Sequence, residues 1–318
     1  MNEVMVAVSG EFIEDKAGAE PIGRLGKDTF HLARRADPLR GLVLAVWSHA
    51  GGSGKSTLTR DLAYEMARRG YKVLVIDADP QANLTSWLGY NPVEIQKEQT
   101  LLRLVQEESL PDPLPVTFGL EAPLFDLVPA NTYLALAEIH IPSKPSGMFL
   151  LRGHLRAHRE RYDLILIDSP PYLGALAGLA ALAGDGLIVP VETSVKGTQA
   201  LSVAVDVSLE YKRTLVNLGF LSPKAEYVHL LIPTRYDPRT SQDKEAHAAL
   251  TEMGTVFPLG PFMTYRPGPY KTAMTERVPV RTLADARLVA ELDALAEAFL
   301  SREGLTPPAL VLLEREVA

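Results

Sequence analysis

The chain has 318 residues, 47% of them hydrophobic and 22% charged, with a formal net charge of −7 and no cysteine. That length can bury a sizeable core, in one large α/β domain with extensions or in two domains, and the composition excludes a globally disordered chain. The missing cysteines exclude disulfides, thiolate zinc sites and a cysteine nucleophile, and the acidic balance gives no global pull toward nucleic acid, so any such contact needs a local basic patch.

The first 40 residues mix glycine, charge and short apolar pairs without a sustained period, and read as an irregular extension that could hold one short strand or hairpin. Their start, MNEVMVAVSGEFIEDK, has neither the basic residues nor the apolar run of a secretory leader, so a cytoplasmic protein is expected. From Leu42 the text changes to LVLAVWS, a continuous apolar run of the kind that forms a strand buried on both faces. Residues 55–69 repeat apolar side chains at Leu58, Leu62 and Met66 beside Ala63 and Ala67, which predicts an amphipathic helix stopped by Gly70.

The alternation continues. KVLVID (72–77) predicts a strand, residues 100–107 a weaker helix, 125–128 a strand, 148–161 a helix, and DLILID (163–168) a strand. Residues 173–191 are the longest apolar stretch, but Asp185 and several glycines break it into an Ala/Leu helix and the strand GLIVPV rather than a membrane span. A long helix over 198–217, the strand YVHLLIP (227–233) and helices over 241–253 and 283–300 close the series, while the proline-rich residues 110–123 read as a loop. Repeated strand and helix units with short connections predict an α/β fold, a doubly wound, mainly parallel sheet with helices on both faces.

The residues that carry chemistry stand at the ends of these strands. Gly51-Gly52-Ser53-Gly54-Lys55-Ser56-Thr57 lies between the first buried strand and its helix. Glycines let the chain turn tightly enough for several amides to converge on a phosphate, and the helix adds its positive end. The Lys55 ammonium can reach β and γ phosphates, the Ser56 hydroxyl can ligate Mg2+, and Thr57 stands by the α-phosphate. The ordinary P-loop spacing wants a glycine where His49 stands. Asp168 ends an apolar strand, where a carboxylate must sit to hold the metal or its water shell.

GGSGKST resembles the deviant Walker A motif of the ParA/MinD family of P-loop ATPases, with Ala50 in the place of that family's signature lysine. IDADPQANLT is similar to the family's DxDPQGN motif, with Ala82 where glycine is usual, and DSPPYLG to its DTPPSLG. IVPVETSVKGTQAL and LLIPTRYDPRTSQDKE resemble later family segments, so the likeness runs over roughly residues 42–300. It implies residues 41–302 as a P-loop ATPase domain, with 1–40 an N-terminal extension and 303–318 a C-terminal tail.

The resemblance implies ATP and Mg2+ as ligands, Asp79 orienting the attacking water, Asp77 supporting the metal side and the DSPPYLG segment that begins at Asp168 sensing the γ-phosphate. The DPQ form points to the partition type rather than MinD, and ALVLLEREVA is too short and acidic for a MinD-like membrane helix. An iron–sulfur relative of the superfamily does not fit a chain without cysteine. Partition-type members form an ATP-dependent homodimer, bind non-specific duplex DNA, associate with the nucleoid and answer to a ParB-like centromere-binding protein. Residues 211–281 carry ten Lys or Arg against six Asp or Glu, and the resemblance implicates Arg239, with Arg266 or Lys271 as a second DNA contact.

Alanine at position 50 cannot supply the cation that the family's lysine carries to the transition state. Hydrolysis could be slow, activated by another residue such as His49, or dependent on a partner. That leaves an alternative function, a weakly hydrolysing ATP-dependent regulatory or positioning scaffold controlled by a protein.

Overall fold

The computed structural model describes residues 41–120 and 122–303, together with four short strand segments before Gly41. Those segments form two antiparallel ladders, Glu3–Val4 with Leu32–Ala33 and Arg24–Leu25 with Asp28–Thr29. The remainder of the expected extension, and the tail after Glu303, lie outside the described residues.

Seven strands make the main sheet: β1 (Leu42–Val46), β2 (Val73–Asp77), β3 (Leu114–Val116), β4 (Phe125–Val128), β5 (Leu164–Asp168), β6 (Gly186–Glu192) and β7 (Val228–Thr234). Their order is β7-β6-β1-β5-β2-β4-β3, and every pair is parallel except the edge pair β3 and β4. The central strands are apolar up to the aspartates that end β2 and β5, because both faces are covered. Val43, Ala45, Leu74, Ile76, Ile165 and Ile167 pack into one core, while Leu44, Val46, Val73, Val75, Leu164 and Leu166 pack into the other.

Helices α1 (Lys55–Ala67) and α10 (Ala286–Arg302) cover the second core. The first lies under α3 (Leu101–Glu107), α5 (Leu150–His158), α6 (Ala175–Ala183), α7 (Val195–Asn217) and α8 (Ser241–Met253). The predicted doubly wound fold is therefore the observed one. Gly70 adopts φ 83° after α1 and stops it, as its place in the sequence implied.

Four elements depart from the sequence expectation, the first being the five-residue helix Asn83–Trp87 (α2), too short to show an apolar period. The proline-rich stretch contains β3, tolerated because Pro115 sits on an edge strand, where a missing N–H costs no ladder bond. A short helix, Ala137–Ser143 (α4), was hidden by Pro142 in its last turn. Another, Pro267–Glu276 (α9), opens on Pro-Gly-Pro, whose prolines fall in a first turn where helix N–H groups have no partner anyway.

Helix α6, which follows the DSPPYLG loop, has no capping side chain of its own. Glu138 of α4 accepts from the amides of Ala175 and Leu176 at 2.7 and 3.0 Å, and Arg152 donates to the carbonyls of Leu182 and Gly184 at the other end. The start of α7 is fixed by close backbone approach: a Cβ at Gly197 would stand 1.9 Å from the Glu192 carbonyl oxygen. Gly197→Ala should therefore destabilise the protein by about 1–3 kcal/mol in urea unfolding, and an unchanged midpoint would contradict this packing of α7 on the end of β6.

Candidate functional site at the carboxyl edge of the sheet

The turn after β1 is built from backbone that only glycine adopts without strain at two points, Gly52 at φ 79° and Gly54 at φ 93°. Gly54 is the N-cap of α1, and neither a capping side chain nor an acidic residue occupies the first turn. The amides at this helix end are therefore available to an anion, and the helix dipole favours one. The Thr234 hydroxyl donates to the Ser53 carbonyl at 2.8 Å and ties the loop to the end of β7. Ser53 Oγ is buried without a partner.

Lys55 is buried and donates from Nζ to the Ala50 carbonyl at 3.1 Å. Burial lowers its pKa, against the pull of Asp168 and Asp79. His49 is no substitute cation: burial and the neighbouring Lys55 charge lower its pKa, which keeps the imidazole neutral.

Sheet register brings the carboxylates together. Val46, Asp168 and Asp77 stand side by side on β1, β5 and β2. Both aspartates are fully buried. Asp77 accepts from the Thr85 amide at 2.9 Å, the Thr85 hydroxyl at 2.7 Å and the Asp79 amide at 3.1 Å, so its oxygens hold the loop that follows β2. Within that loop the Gln81 amide donates to Asp79, and Ala82 takes φ 53° where the family pattern has glycine. Asp77 thus shapes the Asp79 loop from a position abreast of Asp168.

Asp168 is different. Its Oδ1 accepts weakly from the Thr59 hydroxyl at 3.4 Å, Ser56 hydrogen-bonds to its carboxylate, and Oδ2 has no partner. An orphaned, fully buried carboxylate oxygen beside a serine hydroxyl is the donor set of a hard divalent cation. Burial, and then the Asp77 charge, push the Asp168 pKa well up, and burial raises Asp77 to about 7 against its three donors. Burial disfavours the charge on each, and each charge disfavours the other, so the pair holds a proton more tightly than isolated carboxyls do.

A cavity of about 250 Å³ adjoins the loop. Gly54 and Thr57 form one end, and Arg235, Met263, Pro267 and Tyr270 form its sides. Beneath it Asp61 is hydrogen-bonded by Tyr270 and paired with the buried Arg60 at 2.9 Å. Sequence reasoning did not place this pocket, because its walls come from the turn after β7 and from a helix masked by prolines.

The three basic candidates have different surroundings. Arg239 precedes α8 with its side chain 84% exposed, paired only with Asp237 of its own loop at 2.6 Å. Lys271 is exposed at the cavity wall. Arg266 is engaged within the fold: its guanidinium donates to Thr264 and to both Asp285 oxygens and lies 3.5 Å from Glu291, tying the start of α9 to α10.

Residues 41–216 match the AAA domain family. A probable plasmid-partitioning protein ParA from Thermus thermophilus is 43% identical over 280 residues, covering 88% of this chain and 84% of that protein. The chain belongs to the ParA family of P-loop ATPases. The chromosome-partitioning ATPase Soj of Thermus thermophilus is 34% identical over 209 residues, 65% of this chain and 74% of Soj. Among solved structures, an ATP complex of a single-residue variant of Cyanothece McdA superposes with a TM-score of 0.69 at 26% identity, over 86% of this chain and 99% of McdA.

The buried carboxylates set a pH dependence. Both folded pKa values lie above the unfolded carboxyl value, so the stability contributed by the protonated forms is complete below about pH 4 and declines as the pH rises, through about 7 for Asp77. Without divalent cation, the wild-type melting temperature should fall as the pH rises from about 4 to 7, and the advantage of Asp168→Asn over wild type should grow over the same range. A difference between the two proteins that does not change with pH would contradict this electrostatic picture.

Proposed function

We propose that this chain is an ATP-hydrolysing molecular switch of the ParA type, which binds Mg2+-ATP at the loop before α1 and binds duplex DNA without sequence preference as an ATP-bound homodimer. It acts in chromosome or plasmid partitioning with a ParB-like centromere-binding partner, and its DNA-bound state associates with the nucleoid. The observation that carries the reading is the unpartnered carboxylate oxygen of Asp168 beside Ser56, in register with a glycine turn whose amides and Lys55 face the same edge.

In this reading, the amides of residues 52–57 receive the β and γ phosphates, and the Lys55 ammonium leaves the Ala50 carbonyl to pair with them. Ser56 and Asp168 would hold Mg2+, which supplies neutralisation of phosphate charge. Asp79 accepts a hydrogen bond from the attacking water, and Asp77 keeps Asp79 in place through its contact with the Asp79 amide. Phosphoryl transfer asks for positioning and charge neutralisation more than covalent chemistry, and these side chains provide both. The cavity beside Thr57 takes the nucleoside.

Support for the assembled state comes from the apolar surface on α4 and the DSPPYLG loop, where Ile139 is 73% and Leu173 56% exposed close to the Glu138 contact. Support for DNA contact comes from Arg239, whose exposed pairing with Asp237 is weak enough to exchange for a phosphate. Among the described residues no helix is long and apolar enough to cross a membrane. Ala50 favours a second reading, a weakly hydrolysing scaffold.

Gel shifts on random duplex DNA at low salt should show binding with Mg2+-ATP and little with ADP. Arg239→Ala should weaken it about tenfold and lower the salt slope by about one. Binding that ignores the nucleotide contradicts the switch. Steady-state turnover should be abolished in Lys55→Ala and reduced roughly 100-fold in Asp79→Ala, whereas wild-type protein that binds ATP without turnover would favour the scaffold.

A further inference from the structure

Arg235, the residue after β7, has φ 57°, a backbone conformation that side chains other than glycine rarely adopt. Strain of this kind persists only where the surroundings over-determine it, and here both neighbours are fixed. Thr234 is hydrogen-bonded to the Ser53 carbonyl through its hydroxyl and accepts from the Thr193 amide through its own carbonyl, at 2.8 Å each. Tyr236 donates its amide to the Met263 carbonyl at 3.0 Å and accepts from the Tyr265 amide at 2.9 Å. The backbone between these anchors turns the Arg235 side chain back over the phosphate loop.

Two nitrogens of its guanidinium lie 3.7 and 3.9 Å from where a Cβ on Gly52 would stand, and the same side chain walls the cavity beside Gly54 and Thr57. Nearby arginines are neutralised, Arg239 by Asp237 and Arg266 by Asp285 and Glu291. Among the described residues no carboxylate stands within ion-pair distance of Arg235. An exposed planar cation held over a glycine turn, at the junction between an anion-binding helix end and a cavity, matches a phosphate ester better than it matches solvent.

We infer that Arg235 is a second nucleotide-binding cation of this chain, its guanidinium bonding the α and β phosphate oxygens of a nucleoside di- or triphosphate from the side opposite Lys55. It brings to the outer face of the loop a positive charge that position 50, an alanine, does not carry. The contact is made within one chain and does not involve the γ-phosphate, so it serves ADP and ATP alike. The inference rests on the nucleotide-site reading above.

The test is titration of Mg2+-ADP and Mg2+-ATP into wild type, Arg235→Gly and Arg235→Lys by calorimetry. Glycine suits φ 57°, so Arg235→Gly should melt no lower than wild type, which separates loss of the cation from loss of the fold. Arg235→Gly should weaken both nucleotides about tenfold, Arg235→Lys should recover part of that loss, and the salt dependence of affinity should be shallower in the glycine variant. Wild-type affinities retained in Arg235→Gly, or a loss confined to ATP, would overturn the inference. Wild-type protein that binds neither nucleotide would instead overturn the reading of the site as a whole.

Discussion

The parallel register of three central strands is the constraint on which the remainder of the molecule depends. Pairing β5 between β1 and β2 sets Val46, Asp168 and Asp77 abreast, so the turn that leaves β1 and the loop that leaves β2 both begin beside the Asp168 carboxylate. In an open parallel sheet the crevice at the carboxyl ends is where ligands bind, because connections to opposite faces separate there. Slippage of one residue would turn Asp168 to the other face and remove it from Ser56. The apolar side chains of both cores therefore do more than stabilise the fold, since they specify the register that gathers the site.

Several groups at this edge are less comfortable than they would be in a structure built for stability alone. Asp168 Oδ2 and Ser53 Oγ are buried without partners, Lys55 is buried with only a carbonyl to receive its proton, and Ala82 and Arg235 hold left-handed backbone. Each feature costs folding free energy, and such costs cluster where a ligand can relieve them. On the proposed reading, a cation at Asp168 and a phosphate chain at the amides and Lys55 would satisfy the unpaired atoms together and so link ligand binding to folding stability. Ala50, a departure from the family pattern, removes a charge from the loop in the same region, and Arg235 stands over that loop with one.

Much of this was legible in the sequence, for physical reasons. Strands buried on both faces show as unbroken apolar runs, and LVLAVWS, KVLVID, DLILID and GLIVPV each became a central strand. The glycine turn and the strand-end aspartates could be read because phosphate and metal chemistry restrict both residue type and position. What escaped was set by tertiary context. Proline content concealed β3, α4 and α9, since composition does not reveal that Pro115 lies on an edge or that α9 has its prolines in the first turn. Arg266 looked like Arg239 as text, and only the neighbours Asp285 and Glu291 distinguish a half-buried clamp between helices from an exposed arginine paired within its own loop. The cavity walls and the strained Arg235 come together only when the turn after β7 folds back over α1.

Calorimetric titration of wild-type protein with ATP in Mg2+, with ATP in excess chelator and with AMP in Mg2+ tests the central claim most directly. A site made of loop amides, Lys55 and an Asp168-held cation should bind Mg2+-ATP strongly, lose most of that affinity without the metal, and bind AMP at least roughly 100-fold more weakly, as expected when phosphate contacts dominate. Equal affinity for AMP and ATP, or no heat with Mg2+-ATP, would contradict it.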